Sequence, residues 1–439
     1  MNLESQKNQT EKPVDEKWFD RLHEAFFEDY EKLSGNKENR ELEKESFING
    51  VTENPTLDYP ELLDFNMDQR EEALLLLKED ILLDEETDPV VKKIYRTKIN
   101  EIVASVRMLR AAKDGDDKKF SRYSSFIHGV PNPENTAYVI DAIKHKLAAT
   151  DSNDPERQVV VQRLNKLLQN YKGEVDPDMV DRSVLPEKSG VKGFVQNSAE
   201  AVACMQEVLD ELGVDNWEIV VDSKKGLTGF SVSQELKEIN IPSDDAILAR
   251  KLTKRKLAGL VEHELKTHIA RRHNGERSKL KLLGLGLDRY VKGEEGVATY
   301  AEQQVTGATE FAGVQKYFAI AVAKGFDGQP RTFRETFEVM KDYYSITLKN
   351  DETINSRAIN AAWNDCVRIF RGTTGTTPGA VFTKDLAYLG NRDIWQLVSK
   401  NSNVVQTFSI GKFDSTNSEH IAALVQLGIL DEDLLSLNE

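Results

Sequence analysis

The sequence predicts an α+β protein, a mainly helical N-terminal half followed by a half that carries a small sheet and one long helix. Three observations carry this. Apolar residues recur at three- and four-residue spacing from Trp18 to about Glu174, strand-like alternation is confined to the stretch between Trp217 and Ile241, and helical spacing then resumes for most of the remainder. With 439 residues, 39% of them hydrophobic and 30% charged, a soluble globular chain of two domains is expected rather than one domain.

The first seventeen residues are polar and aperiodic, so a disordered tail over 1–17 is expected, with order starting at Trp18. The helical region 18–190 is patterned by Leu22, Phe26, Phe27, Tyr30 and Leu33 and later by Ile94, Ile99, Ile102, Val103, Val106 and Leu109. Asn54-Pro55, Asp88-Pro89 and Asn132-Pro133 punctuate it. The stretch from Val175 to Gly193, rich in Asp, Pro and Gly, is the linker candidate. Within 191–439, Ala201, Val202, Met205, Val208, Leu209 and Leu212 mark a helix. Trp217, Ile219 and Val221, then Leu236, Ile239 and Ile241, mark two strands, read as antiparallel around the Ser223-Lys224-Lys225-Gly226 turn. Leu248 to Ala270 reads as one long helix.

Composition excludes several classes. The longest apolar run is of the size of Tyr317–Ala323, short of the roughly 20 residues that span a bilayer, and Met1 opens onto a polar segment, so neither a membrane span nor a secretion signal is expected. Cys204 and Cys366 form no CxxC pair, which points to a reducing, cytoplasmic setting. A net charge of −16 disfavours nucleic acid as a partner. The charge is uneven: Glu61–Val90 holds eleven Asp and Glu against two Lys and Arg, whereas Arg250–Lys292 holds thirteen Lys and Arg against four Asp and Glu. That basic stretch lacks the interleaved exposed aromatics of a nucleic-acid surface.

The basic stretch contains His263-Glu264-Leu265-Lys266-Thr267-His268, with Glu294-Glu295-Gly296-Val297-Ala298 downstream. Two imidazoles and a carboxylate are the ligand set of catalytic zinc, and the Glu directly after the first His is placed to take a proton from water. The spacing departs from the familiar i, i+4 pair. Residues i and i+5 stand about 140° apart on a regular helix at 100° per residue, so a shared ion requires a π-type distortion between His263 and His268.

His263-Glu264-x-x-Thr267-His268-x-x-Arg271-x-x-Asn274 followed by Glu295-Gly296-Val297-Ala298 resembles the microtubule-associated tyrosine carboxypeptidase family and its bacterial relatives named for a Gln-Glu-Gly-Leu-Ala motif. Arg368-x-x-Arg371-Gly372 with Phe382-x-Lys384-Asp385-x-x-Tyr388-Leu389 resembles the family's C-terminal block, and Asn54-Pro55 with Tyr59 is a fainter echo. The resemblance implies a zincin-like metallopeptidase domain over 191–439, one zinc per chain held by His263, His268 and Glu295, and removal of a C-terminal residue from a protein or peptide. Glu295 is the carboxylate ligand by this pattern, because relatives carry Gln at the position of Glu294.

The family reaction also implies further roles. Glu264 would be the general base, and Tyr388 the donor to the developing oxyanion. Arg371 and Lys384, beside the Gly-Thr-Thr-Gly-Thr-Thr loop, are candidates for the terminal carboxylate. Arg271 would hold either a carboxylate behind the ligands or the Glu295 helix. The strand Glu238–Ile241 is read as an edge able to pair with an extended peptide, and the basic stretch as an attractor of an acidic tail. A regulatory or interaction protein with an inert metal site is the alternative. Retention of Glu264 argues against it, since a structural site needs no base and prefers four protein ligands.

Overall fold

The computed structural model describes residues 12–150, 154–173, 182–222 and 229–434. The chain is α+β, 63% helical with one small three-stranded sheet of mixed direction. Residues 1–11 of the expected tail and the Ser223–Gly226 turn lie outside the described residues, as do 175–181 of the linker. The remainder of the expected tail is not free. Asp15 is fully buried, accepting hydrogen bonds from the Tyr95 hydroxyl and from the backbone N–H groups of Lys281 and Leu282. A short polar segment is thus ordered by one satisfied carboxylate.

The first helices are α1 (Glu16–Ala25), α2 (Asp29–Lys32), α3 (Lys37–Ile48), α4 (Met67–Leu83), α5 (Pro89–Lys113), α6 (Asp117–His128), α7 (Pro133–Ala148) and α8 (Pro155–Gln169). Several start where the sequence supplies an Asx residue. Asn66, Asp88, Asp116, Asn132 and Asp154 each accept a backbone N–H from the first turn, and Pro follows directly at Asp88, Asn132 and Asp154. The apolar stripe of α5, including Ile99, Ile102, Val106 and Leu109, packs with Leu74, Leu77 and Ile81 of α4. The same core takes in Leu280–Leu287, Phe413 and Leu424–Leu430 from the far end of the chain. A second core joins α7 and α8 to residues between Val297 and Phe408. Both cores therefore draw on either side of the 190/191 boundary. The described part of the linker is also docked, Ser189 N–H donating to Thr306 O and Ala308 N–H to Pro186 O.

A third core packs α9 (Ser198–Leu212) against the sheet of β1 (Glu218–Val221), β2 (Ser231–Ser233) and β3 (Glu238–Ile241). Here the strand readings need correction. β1 and β3 run parallel, because β2 intervenes and the chain reverses twice between them. β3 is central, paired with β1 on one side and β2 on the other, so it has no edge to offer a peptide.

The expected single helix from Leu248 is likewise two pieces. α10 (Asp244–Arg250) ends at Lys251 in a left-handed conformation, Thr253 then caps α11 (Lys254–Leu260), and the chain continues into the metal-site segment. Later helices are α12 (Ala270–Glu276), α13 (Val291–Thr306), α14 (Val314–Lys324), α15 (Phe333–Thr347), α16 (Ile354–Phe370), α17 (Gly390–Lys400) and α18 (Ser418–Gln426). Among the described residues, no helix is long and apolar enough to cross a membrane.

Candidate metal centre

Between α11 and α12 the helix widens to π form over Val261–Ile269, which spans both histidines. Ala270 N–H reaches back to Leu265 O, and Thr267 Oγ1 donates to Glu262 O, both five residues back. This winding brings i and i+5 onto one face, which regular helix geometry denies, and sets the two imidazole rings 5.0 Å apart. The inner side of the segment is fixed by buried Val261, Leu265 and Ile269, leaving the imidazoles to face α13.

α13 supplies the carboxylates. Glu295 sits where α13 crosses α17, and the crossing is close because both contact residues are glycine. A Cβ on Gly296 would lie 2.9 Å from the backbone of Gly390, and one on Gly390 would lie 2.4 Å from Lys292 O. The Gly after Glu295 is therefore a packing requirement that draws the turn containing Tyr388 toward the site. Ligand atoms of His263, His268 and Glu295 all lie within 4.8 Å of one another. Glu295 Oε2 is 3.7 Å from His263 Nε2 and, though buried, has no hydrogen-bond partner among the described residues. A buried carboxylate oxygen without a donor is costly unless a cation completes it, so these residues fit a metal ion of the zinc class.

The two histidines are oriented from behind. His263 Nδ1 is 3.2 Å from Glu302 Oε2, and His268 Nδ1 is 2.9 Å from Glu294 Oε1, which directs each Nε2 toward Glu295. Burial alone would lower the His263 pKa. The Glu302 hydrogen bond and the fields of Glu264 and Glu295 outweigh it and raise the group to about 9, a sign that the cluster has an excess of negative charge. Glu294 is balanced differently. Its burial is outweighed by Arg271 at 3.0 Å and Lys412 at 3.8 Å, which lower it to about 2. Arg271 is fully buried, also donates to Gly411 O and Phe413 O, and ties them to Glu294, a carboxylate on the helix that carries Glu295.

A cavity of about 600 Å³ opens at His263 and is lined by Thr299, Glu302, Lys316 and Tyr388. The Tyr388 hydroxyl accepts from Arg368 at 3.2 Å, and Arg368 is paired through Nε with Asp385. The Glu295 field and burial hold the Tyr388 phenol well above its usual pKa, so it keeps its proton. Glu264 is half-buried, follows His263 directly in the π segment, and its charge contributes to raising the pKa values of His263 and Tyr388.

Two expected substrate contacts are placed elsewhere. Arg371 lies over the Phe382 ring and donates to Arg368 O, and its Gly-Thr-Thr loop is pinned to α6, where Asp117 accepts from the Thr374 N–H and Oγ1. Lys384 Nζ sits 3.7 Å above the Tyr30 ring and lines a separate cavity with His128. Neither lines the space that His263 and Tyr388 share. Sequence reading also passed over Glu302 and Lys316, and it gave Arg368, quoted in the C-terminal block, no contact with Tyr388. A signal existed for Glu302, seven residues after Glu295 and hence on the same face of α13.

A family model described as microtubule-associated tyrosine carboxypeptidase matches residues 44–191 and 195–435. The chain belongs to this family. The matched residues contain most of the three cores and the candidate metal centre, and α1 and α2 precede them. No curated protein matches the chain.

Proposed function

We propose that the protein is a zinc-dependent metallocarboxypeptidase that removes a C-terminal residue, Tyr or another aromatic, from a protein or peptide tail. The observation that carries this is the donorless, buried Glu295 Oε2 beside His263 Nε2, with Glu264 next in sequence and outside the ligand cluster. His263, His268 and Glu295 would hold the ion. Zinc bound there supplies a Lewis acid for the scissile carbonyl and acidifies the attacking water.

The chain's own groups account for the remaining steps. Glu264 takes the proton from water and returns it to the leaving amine. Tyr388, kept protonated by Glu295 and burial, donates to the oxyanion, and Arg368 fixes the phenol. Glu302 and Glu294 keep the imidazoles aimed. Family membership supports the peptidase class, and retention of a base beside a three-ligand cluster favours a working site over an inert one.

An acidic tail remains part of the proposal, although the basic stretch offers it less than its count implies. Arg271, Arg272, Lys266, Arg289 and Lys292 are each paired with a carboxylate. The test is incubation of the zinc-loaded protein with peptides differing only in the last residue, with the released amino acid identified. Release of a single C-terminal residue, Tyr or another aromatic ahead of the rest, is expected. Internal cleavage or none contradicts the proposal.

A further inference from the structure

The reading above leaves the terminal α-carboxylate without a receptor, since Arg371 and Lys384 lie outside the cavity. In a carboxypeptidase that anion sits one residue beyond the scissile bond, about 3.6 Å of chain, so its receptor must share the cavity with His263 and Tyr388. Three lysines line it. Lys146 is paired with Glu310 at 2.6 Å, and Lys188 is exposed at the rim. Lys316 is half-buried and makes no ion pair among the described residues; its ammonium instead rests 3.5 Å from the centre of the Tyr388 ring.

We propose that Lys316 receives the substrate's terminal α-carboxylate and thereby makes the enzyme an exopeptidase. This rests on the carboxypeptidase reading. The ammonium has three donors and an aromatic face satisfies it only in part, so a carboxylate would complete its coordination. Burial pushes Lys316 below its usual pKa, with Arg368 adding to the effect, the state of a cation that gains from an anion.

The backbone supports the placement. Lys316 is in the first turn of α14, whose N-terminus at Gly313 has no side-chain cap, so the positive end of that helix faces the same space. Gly313 has φ +89°, and a Cβ there would meet the Tyr388–Leu389 backbone at 2.6 Å. That contact holds the turn of Lys316 against Tyr388, so the carboxylate receptor and the oxyanion donor form one rigid unit.

The test is equilibrium binding, by calorimetry, of N-acetyl-Glu-Glu-Tyr and its C-terminal amide to the full chain carrying Glu264→Gln, which removes turnover. A charge-assisted contact predicts about tenfold tighter binding of the acid. Adding Lys316→Met or Lys316→Gln should erase that preference, and Lys316→Arg should retain it, with thermal midpoints confirming a folded chain. Absence of the preference in the parent, or its survival in both the Met and Gln variants, overturns the assignment. The outcomes also separate the two claims. Discrimination that depends on Lys316, while the zinc-loaded wild-type chain hydrolyses none of the peptides, refutes the peptidase reading alone. Hydrolysis with discrimination unchanged in Lys316→Met refutes the Lys316 role alone.

Discussion

The α4–α8 region and the candidate metal centre are built by opposite rules. In α4 through α8 every helix is α-form and begins at an Asn or Asp that accepts a first-turn N–H, and Leu74, Leu77 and Ile81 meet the α5 stripe in a buried apolar interface. At the metal centre the helix is π over Val261–Ile269, and α13, α14 and α17 start without a side-chain cap. Four buried or half-buried carboxylates there accompany two imidazoles, and two of them, Glu294 and Glu295, keep a buried oxygen with no hydrogen-bond partner among the described residues, that of Glu294 being ion-paired with Arg271. One region meets its capping and packing preferences at each helix start and so stabilises the molecule. The other leaves preferences unmet, and each unmet one is a place for a ligand, a proton or a substrate group.

That contrast can be broken in order of effect. Glu264→Gln should keep metal and fold yet reduce turnover by roughly 10²- to 10⁴-fold, since it removes a proton acceptor and no ligand. Unchanged kcat would end its role as base. Leu77→Ala, fully within the first core, should cost about 2 to 5 kcal/mol in denaturant unfolding while kcat/KM holds where the protein is folded. A comparable loss of activity would mean that the two regions are not separable.

Glu302→Ala should leave the fold intact and weaken zinc affinity by roughly 10- to 100-fold in competition with a chelator, through loss of the His263 Nδ1 partner. Equal affinity would reduce Glu302 to a surface contact. The smallest effect concerns Asp365. Burial, with Asp385 nearby, raises it to about 6 from 3.8. Its contribution to stability is therefore complete below about pH 3.8 and is lost as pH rises through about 6. Wild-type stability should fall relative to Asp365→Asn across that window, by on the order of 1 kcal/mol. Parallel curves would contradict the buried carboxyl.

The sequence displayed those parts whose signals are local. Helices of the first half follow from 3.6-residue periodicity and Asx-Pro starts, and the π segment follows from one geometric impossibility, two ligands at i and i+5. Strand direction was not legible, because β2 is three residues long and its presence reverses the β1–β3 pairing. Nor were the partners that act across elements. Arg371 and Lys384 carry the right charge in the right block, yet their orientation depends on whether α6 and Tyr30 or the cavity claims them. Lys316 lies in no motif and is placed by the Gly313 contact with Tyr388.

Elemental analysis of the purified, zinc-supplemented protein tests the central claim most directly. About one zinc per chain is expected in the wild type and in Glu264→Gln, with near-complete loss in His263→Ala and Glu295→Gln. A metal-free wild type, or full zinc retained in Glu295→Gln, would contradict it.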